Sequence, residues 1–283
     1  MTDLARAQRF LWLQHRLPKA LLTRLSGAFA RWEGGWLTTL AIRAFVAVFK
    51  VDLSEALETR PEAFTRFNAF FTRDLKPGAR SWPADSTMLA SPCDGALSAQ
   101  GTVRAGQLFQ AKGIDYSAAA LLTGDAAPYD GGAFATIYLA PRDYHQIHMP
   151  LAGTLTALRY VPGDLFSVNP ATAATRPGLF ARNERVVLEF ENPAGRFALV
   201  LVGALIVGAM RTRWTGRVTE ESAPHWRQKG ETEMARGEAL GAFELGSTVI
   251  VLLSAELHSA LGKPWQPRGP GAPLRLGEAL LES

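Results

Sequence analysis

Cysteine is nearly missing from this chain: 283 residues hold one, Cys93. No internal disulfide framework can form and no CxxC zinc or redox motif is present, so a reducing compartment suits the chain. Long apolar runs are missing as well. The longest uncharged one, Phe197 to Met210, has fourteen residues, short of the roughly 18–20 that cross a bilayer as a helix. Its Val, Leu and Gly content reads instead as buried strand with a bend at Gly203 or Gly208. The apolar residues Phe10–Leu13 are flanked by charge and do not form the core of a secretory signal. Histidine is scarce, with five in all (His15, His145, His148, His225 and His258), and the net charge is only +4.

That small surplus is unevenly placed. Residues 1–50 carry Arg6, Arg9, Arg16, Lys19, Arg24, Arg31, Arg43 and Lys50 against Asp3 and Glu33, a net of +6, which leaves the remaining residues at −2. A basic surface spread over the fold is excluded, and nucleic acid as a partner with it. The same fifty residues read as helices. Pro18 suits a first turn, and Leu21, Leu22, Leu25, Phe29 and Trp32 follow at helical spacing with Lys19, Arg24 and Arg31 off that stripe. Gly34-Gly35 breaks the pattern before a second stretch carrying Leu37, Leu40, Ala41, Ala44 and Val48. Such a stripe either packs on a core or faces an anionic lipid surface, where each basic group contributes about 1 kcal/mol.

Thr59-x-x-Glu62 has the form of a capping box and predicts a helix that buries Phe64, Phe67, Phe70 and Phe71. Beyond about residue 80 the pattern changes. Short β-prone runs (Phe134–Leu139, Val186–Phe190, Phe197–Val202, Ser247–Leu253) alternate with Gly, Pro and Asp-Gly turns. The expected fold class is α+β: a mainly antiparallel β body over residues 51–283 with an N-terminal amphipathic helical arm over residues 1–50.

Three short segments could carry chemistry. Pro141-Arg-Asp-Tyr-His-Gln-Ile-His-Met-Pro150 contains His145 and His148; a His-x-x-His pair can be half of a metal site, but no neighbouring Cys or His completes it, so no metal is expected. Asp94-Gly95 could be a hairpin turn and nothing more. Gly246-Ser247 precedes a β-branched run, and glycine permits a strained turn there. Asp, His and Ser together could form a triad, either to hydrolyse an outside ester or to attack the Gly246–Ser247 peptide bond. No Gly-x-Ser-x-Gly elbow surrounds Ser247, and Gly246 supplies the lack of bulk that self-cleavage needs.

In this order and at these distances, the segments resemble the bacterial phosphatidylserine decarboxylases, pyruvoyl-dependent enzymes made as self-processing proenzymes. Leu245-Gly246-Ser247-Thr248 is similar to the family's processing sequence, and Arg142–Pro150 and Asp94-Gly95 match as well. So do Gln110–Gly113, Tyr160–Asn169, Leu179–Val186 and Leu201–Gly208, over about residues 10 to 256. The stretch 217–240 agrees poorly until Gly237-Glu238 and Gly241-Ala-Phe, and the tail after Glu256 is not diagnostic.

The resemblance implies that Asp94, His148 and Ser247 process the chain. His148 takes the Ser247 proton, the serine attacks the Gly246 carbonyl, and a pyruvoyl group is left on a smaller chain of 37 residues. The two chains of one precursor stay together, and a homodimer is implied. That pyruvoyl group forms a Schiff base with phosphatidylserine and serves as the electron sink for loss of CO₂, giving phosphatidylethanolamine with no metal. His145 is assigned to decarboxylation and protonation, which requires a bend in its loop, since residues three apart on a strand face opposite ways. The arm is expected to hold the enzyme peripherally at the cytoplasmic face of the cell membrane, on anionic lipid. Charge reversal at Arg24 and Arg31 is then expected to weaken lipid binding and spare self-cleavage. A serine hydrolase using the same triad and a non-catalytic lipid-binding module are the alternatives.

Overall fold

A run such as Thr248–Leu253, apolar or β-branched at every position, is stable only as a strand covered on both faces. The computed structural model describes residues 12, 14, 16–111, 113–205, 210–218, 233–244, 247–266 and 268–281, and it places that run at the centre of the molecule. In chain order the strands are β1 (Gly95–Thr102), β2 (Gln107–Ala111), β3 (Ile114–Ser117), β4 (Ala133–Leu139), β5 (Gln146–His148), β6 (Gly153–Val161) and β7 (Arg185–Asn192). There follow β8 (Gly195–Val202), β9 (Met210–Thr212), β10 (Gly216–Arg217), β11 (Glu233–Met234), β12 (Ala239–Phe243), β13 (Ser247–Leu253) and β14 (Pro273–Leu274).

Eight of them form one antiparallel sheet, β11-β6-β7-β8-β13-β4-β1-β14, and four form a second, β10-β9-β12-β5. All seven residues of β13 are buried. Side chains alternate along it. Val249, Val251 and Leu253 pack with Ile147, Met149, Met210, Leu240 and Phe243, which come from the smaller sheet and its flanks. Ile250 and Leu252 pack with Leu108, Tyr116, Leu121 and Phe180 on the opposite face. Each large side chain so buried contributes roughly 1.5–3 kcal/mol. The four β-prone runs are strands, and the α+β class holds. Gly203 lies just past β8, its N–H donating to Glu184 O at 2.8 Å; Gly208 lies outside the described residues.

The arm contains helices α1 (Lys19–Arg31) and α2 (Trp36–Phe49), which meet the short α3 (Phe67–Phe71) around Ala30, Ile42, Phe67, Phe70 and Phe71. The capping box does not form. Arg60 rather than Thr59 precedes a single 3₁₀ turn at Pro61–Ala63, where proline favours the tight turn, and Glu62 pairs with Arg43 instead. The helix begins only at Phe67, burying Phe67, Phe70 and Phe71.

A surface helix ordinarily turns its apolar stripe inward. In α1 the stripe points away: Leu21, Leu25, Phe29 and Trp32 are exposed. Besides the Ala30 contact, with the Phe29 ring 6.2 Å from that of Phe67, the polar side docks. Lys19 Nζ lies 3.6 Å from Asp164 and 3.3 Å from the Phe166 ring centroid, and Arg31 pairs with Glu244. Trp36, Leu37, Leu40 and Val48 of α2 are exposed too. Among the described residues, no helix is long and apolar enough to cross a membrane.

Candidate active site

Gly95 opens β1 where a Cβ would lie 2.5 Å from the Tyr138 carbonyl oxygen of β4. Only glycine allows that approach, so Asp94-Gly95 is a close strand entry and not a hairpin turn. Asp94 is thereby fixed just outside the sheet. Arg80 grips its carboxylate with a fork, Nε to Oδ1 at 3.1 Å and Nη2 to Oδ2 at 2.5 Å, and the Leu276 N–H donates to Oδ1 at 2.7 Å. Arg80 also reaches Glu55 at 2.7 Å. Paired charges this well buried are held by geometry as much as by Coulomb attraction.

From the end of β4 the chain turns through Asp143, whose Oδ2 accepts from the Ala140 N–H at 2.7 Å, and enters β5. His145 is fully buried, its ring 4.1 Å from that of Phe71. Its Nδ1 lies 2.8 Å from Asp143 O. A carbonyl can only accept, so Nδ1 carries the proton and the lone pair sits on Nε2, which has no partner among the described residues. Burial pushes the His145 pKa down to about 3 against the opposing pull of that carbonyl, and the positive charge of Arg73 adds to the lowering.

His148 has the same tautomer. Its Nδ1–H donates to Gly237 O at 2.9 Å, and Nε2 accepts from the Tyr144 hydroxyl at 3.1 Å. Burial lowers its pKa below the ordinary value, while Gly237 O and the charge of Asp94 work in the opposite direction. Both rings are thus neutral, each with an Nε2 able to accept a proton.

Ser247 begins β13 opposite Leu139, the last residue of β4. It is fully buried, and among the described residues its hydroxyl has no hydrogen-bond partner. By strand alternation it shares the face of Val249, on the side of the smaller sheet that holds β5. Backbone bonds tie the three segments together: His148 N to Pro92 O at 2.9 Å, and Phe243 N to His145 O at 3.0 Å. The structure therefore brings the Asp94, histidine and Ser247 segments to one end of the central strands. Among the described residues, however, no hydrogen bond joins Asp94 to His148 or His148 to Ser247: Arg80 occupies the carboxylate and Tyr144 occupies Nε2. Gly246 lies outside the described residues.

Four contributors were not foreseen from the sequence. Tyr144 stands inside the histidine motif, but nothing marked its hydroxyl as a partner of His148. Arg80 and Arg73 carry no motif, and Gly237 acts through its backbone. The arrangement can remove a proton from a buried hydroxyl and hold it on a neutral imidazole, next to a carboxylate already neutralised by arginine.

Residues 67–282 match the family model described as phosphatidylserine decarboxylase, and residues 9–50 match a second model, PSD. The phosphatidylserine decarboxylase proenzyme of Chromobacterium violaceum is 52% identical over 279 residues, covering 96% of this chain and 98% of its own length. That of Shewanella frigidimarina is 49% identical, covering 94% and 95%. A third, from Alteromonas mediterranea, is 47% identical, covering 95% of this chain and 84% of its own. Similarity of this extent, spanning arm and body alike, means that the chain belongs to the phosphatidylserine decarboxylase family of enzymes.

Proposed function

We propose that this protein converts phosphatidylserine to phosphatidylethanolamine and CO₂ with a pyruvoyl group made from its own Ser247. The observation that carries the reading is the Ser247 hydroxyl, fully buried and unpartnered at the head of the central strand. An orphaned buried hydroxyl costs about 1–3 kcal/mol. Its retention makes sense where that hydroxyl is a reactant consumed on its own backbone. A hydrolase acting on outside esters needs an accessible serine, and a lipid-binding module needs none.

In this reading, His148 Nε2 takes the Ser247 proton once the Tyr144 hydroxyl moves aside, and Asp94 favours the imidazolium that results. The serine oxygen bonds to the Gly246 carbonyl carbon as the carbon–nitrogen bond breaks, turning amide into ester. Loss of the Cα proton and of the ester oxygen leaves Gly246 with a free carboxylate and residue 247 as dehydroalanine. Water then replaces its nitrogen, which departs as ammonia. The relatives' designation as proenzymes agrees with such a step.

The site fits the group. The buried Ser247 hydroxyl and the bare Nε2 of His145, both without a partner among the described residues, are compatible with a small ketone. Once formed, the pyruvoyl group supplies a carbonyl for the substrate amine and a sink for the electron pair left by CO₂. His145 is assigned to the decarboxylation and protonation step, with its bare Nε2 the atom turned to the reacting group.

We place the arm, residues 1–50, on the membrane. Its outward apolar residues, beside the exposed Arg24, support contact with anionic lipid. The body, residues 51–283, would carry the chemistry, and two processed copies would pair as a homodimer.

Denaturing intact mass before and after borohydride, with CO₂ release from phosphatidylserine vesicles, tests the reading. The expected result is two chains split before residue 247, a reducible blocked N-terminus on the smaller, and CO₂. A single unreactive chain whose Ser247 is labelled by a fluorophosphonate would replace the reading with a hydrolase.

A further inference from the structure

Arg73 is a buried cation that the steps above leave unused. Its side chain is 6% exposed, and among the described residues no carboxylate lies within ion-pair distance of it. Among the described residues its side chain makes one hydrogen bond, a long one, Nη2 to Arg142 O at 3.4 Å, and Nε has no partner. Its guanidinium carbon stands 5.7 Å from the Phe70 ring centroid, a cation–π contact that supplies no acceptor; a guanidinium carries five donors, so most of its hydrogen-bonding capacity is open to an anion.

An anion matches that capacity, and the surroundings say where one would enter. Arg73 lines a cleft of about 650 Å³ between arm and body. It also lines a smaller cavity of about 190 Å³ shared with Asp94, Arg80 and Tyr144. The larger cleft is lined by five arginines and three carboxylates, one of them Glu244, so its balance is positive. The neighbours of Arg73 are fixed to the histidine segment. Phe71 lies against His145, and the Gln146 amide donates to Thr72 O at 2.9 Å and Asp74 Oδ1 at 2.7 Å.

We propose that Arg73 binds the phosphodiester of the phospholipid headgroup, entering from the arm-side cleft, and so sets the amino acid end of the substrate toward residue 247. This rests on the decarboxylase reading above. A planar guanidinium suits two phosphate oxygens at once. The substrate's other anion, its carboxylate, is a poorer match for catalytic reasons. That group loses its charge as CO₂ leaves, so a cation clamped on it would hold the ground state more tightly than the transition state. The phosphodiester keeps its charge throughout, and product should bind Arg73 as substrate does.

The test is calorimetric binding of monomeric dihexanoylphosphatidylethanolamine, which has the phosphodiester but no carboxylate, to the full-length protein. Arg73→Gln should weaken binding at least ten-fold, and Arg73→Lys less. An analogue with the phosphate replaced by an ether should bind wild type as poorly as the lipid binds Arg73→Gln. Inorganic phosphate at the same concentration should compete weakly.

The assignment is overturned if wild type does not bind the lipid, or if Arg73→Gln binds it as wild type does. It is equally overturned if Arg73→Gln raises KM for phosphatidylserine while binding of the phosphatidylethanolamine is unchanged, which would put the carboxylate on Arg73, or if inorganic phosphate competes fully. Should Arg73→Gln fail to fold, Arg73→Lys decides: it should weaken binding of the phosphate-bearing lipid and leave that of the ether analogue unchanged, and equal binding of the lipid by Arg73→Lys and wild type overturns the assignment. Absence of CO₂ release by wild type would count against the decarboxylase reading separately, since binding is read without turnover.

Discussion

Arg31 Nη1 of the arm lies 3.4 Å from Oε2 of Glu244, a buried carboxylate two residues before Gly246. The arm is thus pinned to the segment that leads into the proposed cleavage point. This separates two arginines that the sequence presents alike. Arg24 is exposed and Arg31 is not fully so. Arg24→Glu should weaken flotation with anionic vesicles at least five-fold, from about 1 kcal/mol per basic group, and leave processing unchanged. Arg31→Glu sets two carboxylates against each other and should slow processing as well, visible as residual uncleaved chain on a denaturing gel. Equal processing in both variants would show that the Glu244 contact has no bearing on cleavage.

Ser247→Ala should remain one chain. It removes the orphaned hydroxyl and otherwise keeps the fit in β13. Its melting temperature should be no lower than that of a precursor blocked elsewhere, such as His148→Gln, and a gain of about 1 kcal/mol is expected from the lost desolvation penalty. A clear loss of stability would mean that the hydroxyl has a partner in the folded precursor.

The central strand was legible because Thr248–Leu253 has no polar face, and only a doubly covered strand accommodates such a run. The arm's helices were legible from spacing, but not the direction of their apolar side. Periodicity finds a stripe and says nothing of which side meets a partner. That was decided by Lys19 with Asp164 and Arg31 with Glu244, pairs far apart in sequence. Of the site, Asp94, His148 and Ser247 could be named from their motifs. Their actual hydrogen bonds could not. Arg80 follows an unremarkable Lys76-Pro-Gly-Ala, and the His148 tautomer depends on the backbone carbonyl of Gly237, which, having no side chain, gives no sign of that role.

His145 should leave a signature in acid. Its pKa is about 3 in the fold and near 6.5 in the unfolded chain. Between those values the unfolded state binds the extra proton, so this residue makes stability fall as pH drops below about 6.5. At pH 5 the loss is about 2 kcal/mol relative to neutral pH. His145→Gln should flatten that part of the stability curve, measured by denaturant unfolding at pH 7 and pH 5. Parallel curves for variant and wild type would show that His145 is protonated in the native state.

His148 should set the acid limb of self-processing. Only its neutral form can accept the Ser247 proton, and burial lowers its pKa below the ordinary value. The processing rate of freshly synthesised precursor should therefore stay level as pH falls through about 6.5 and reach half its maximum only at a lower pH. Arg80 provides the control. Its charge lowers the His148 pKa, while that of Asp94, which Arg80 grips, raises it. Arg80→Gln removes the first influence and releases the carboxylate, so both changes move the half-point upward. The variant also leaves a buried carboxylate unpaired at a cost of about 3–5 kcal/mol, so the comparison is made on the folded fraction at low temperature. A half-point that moves downward, or not at all, would mean that a group other than His148 takes the proton.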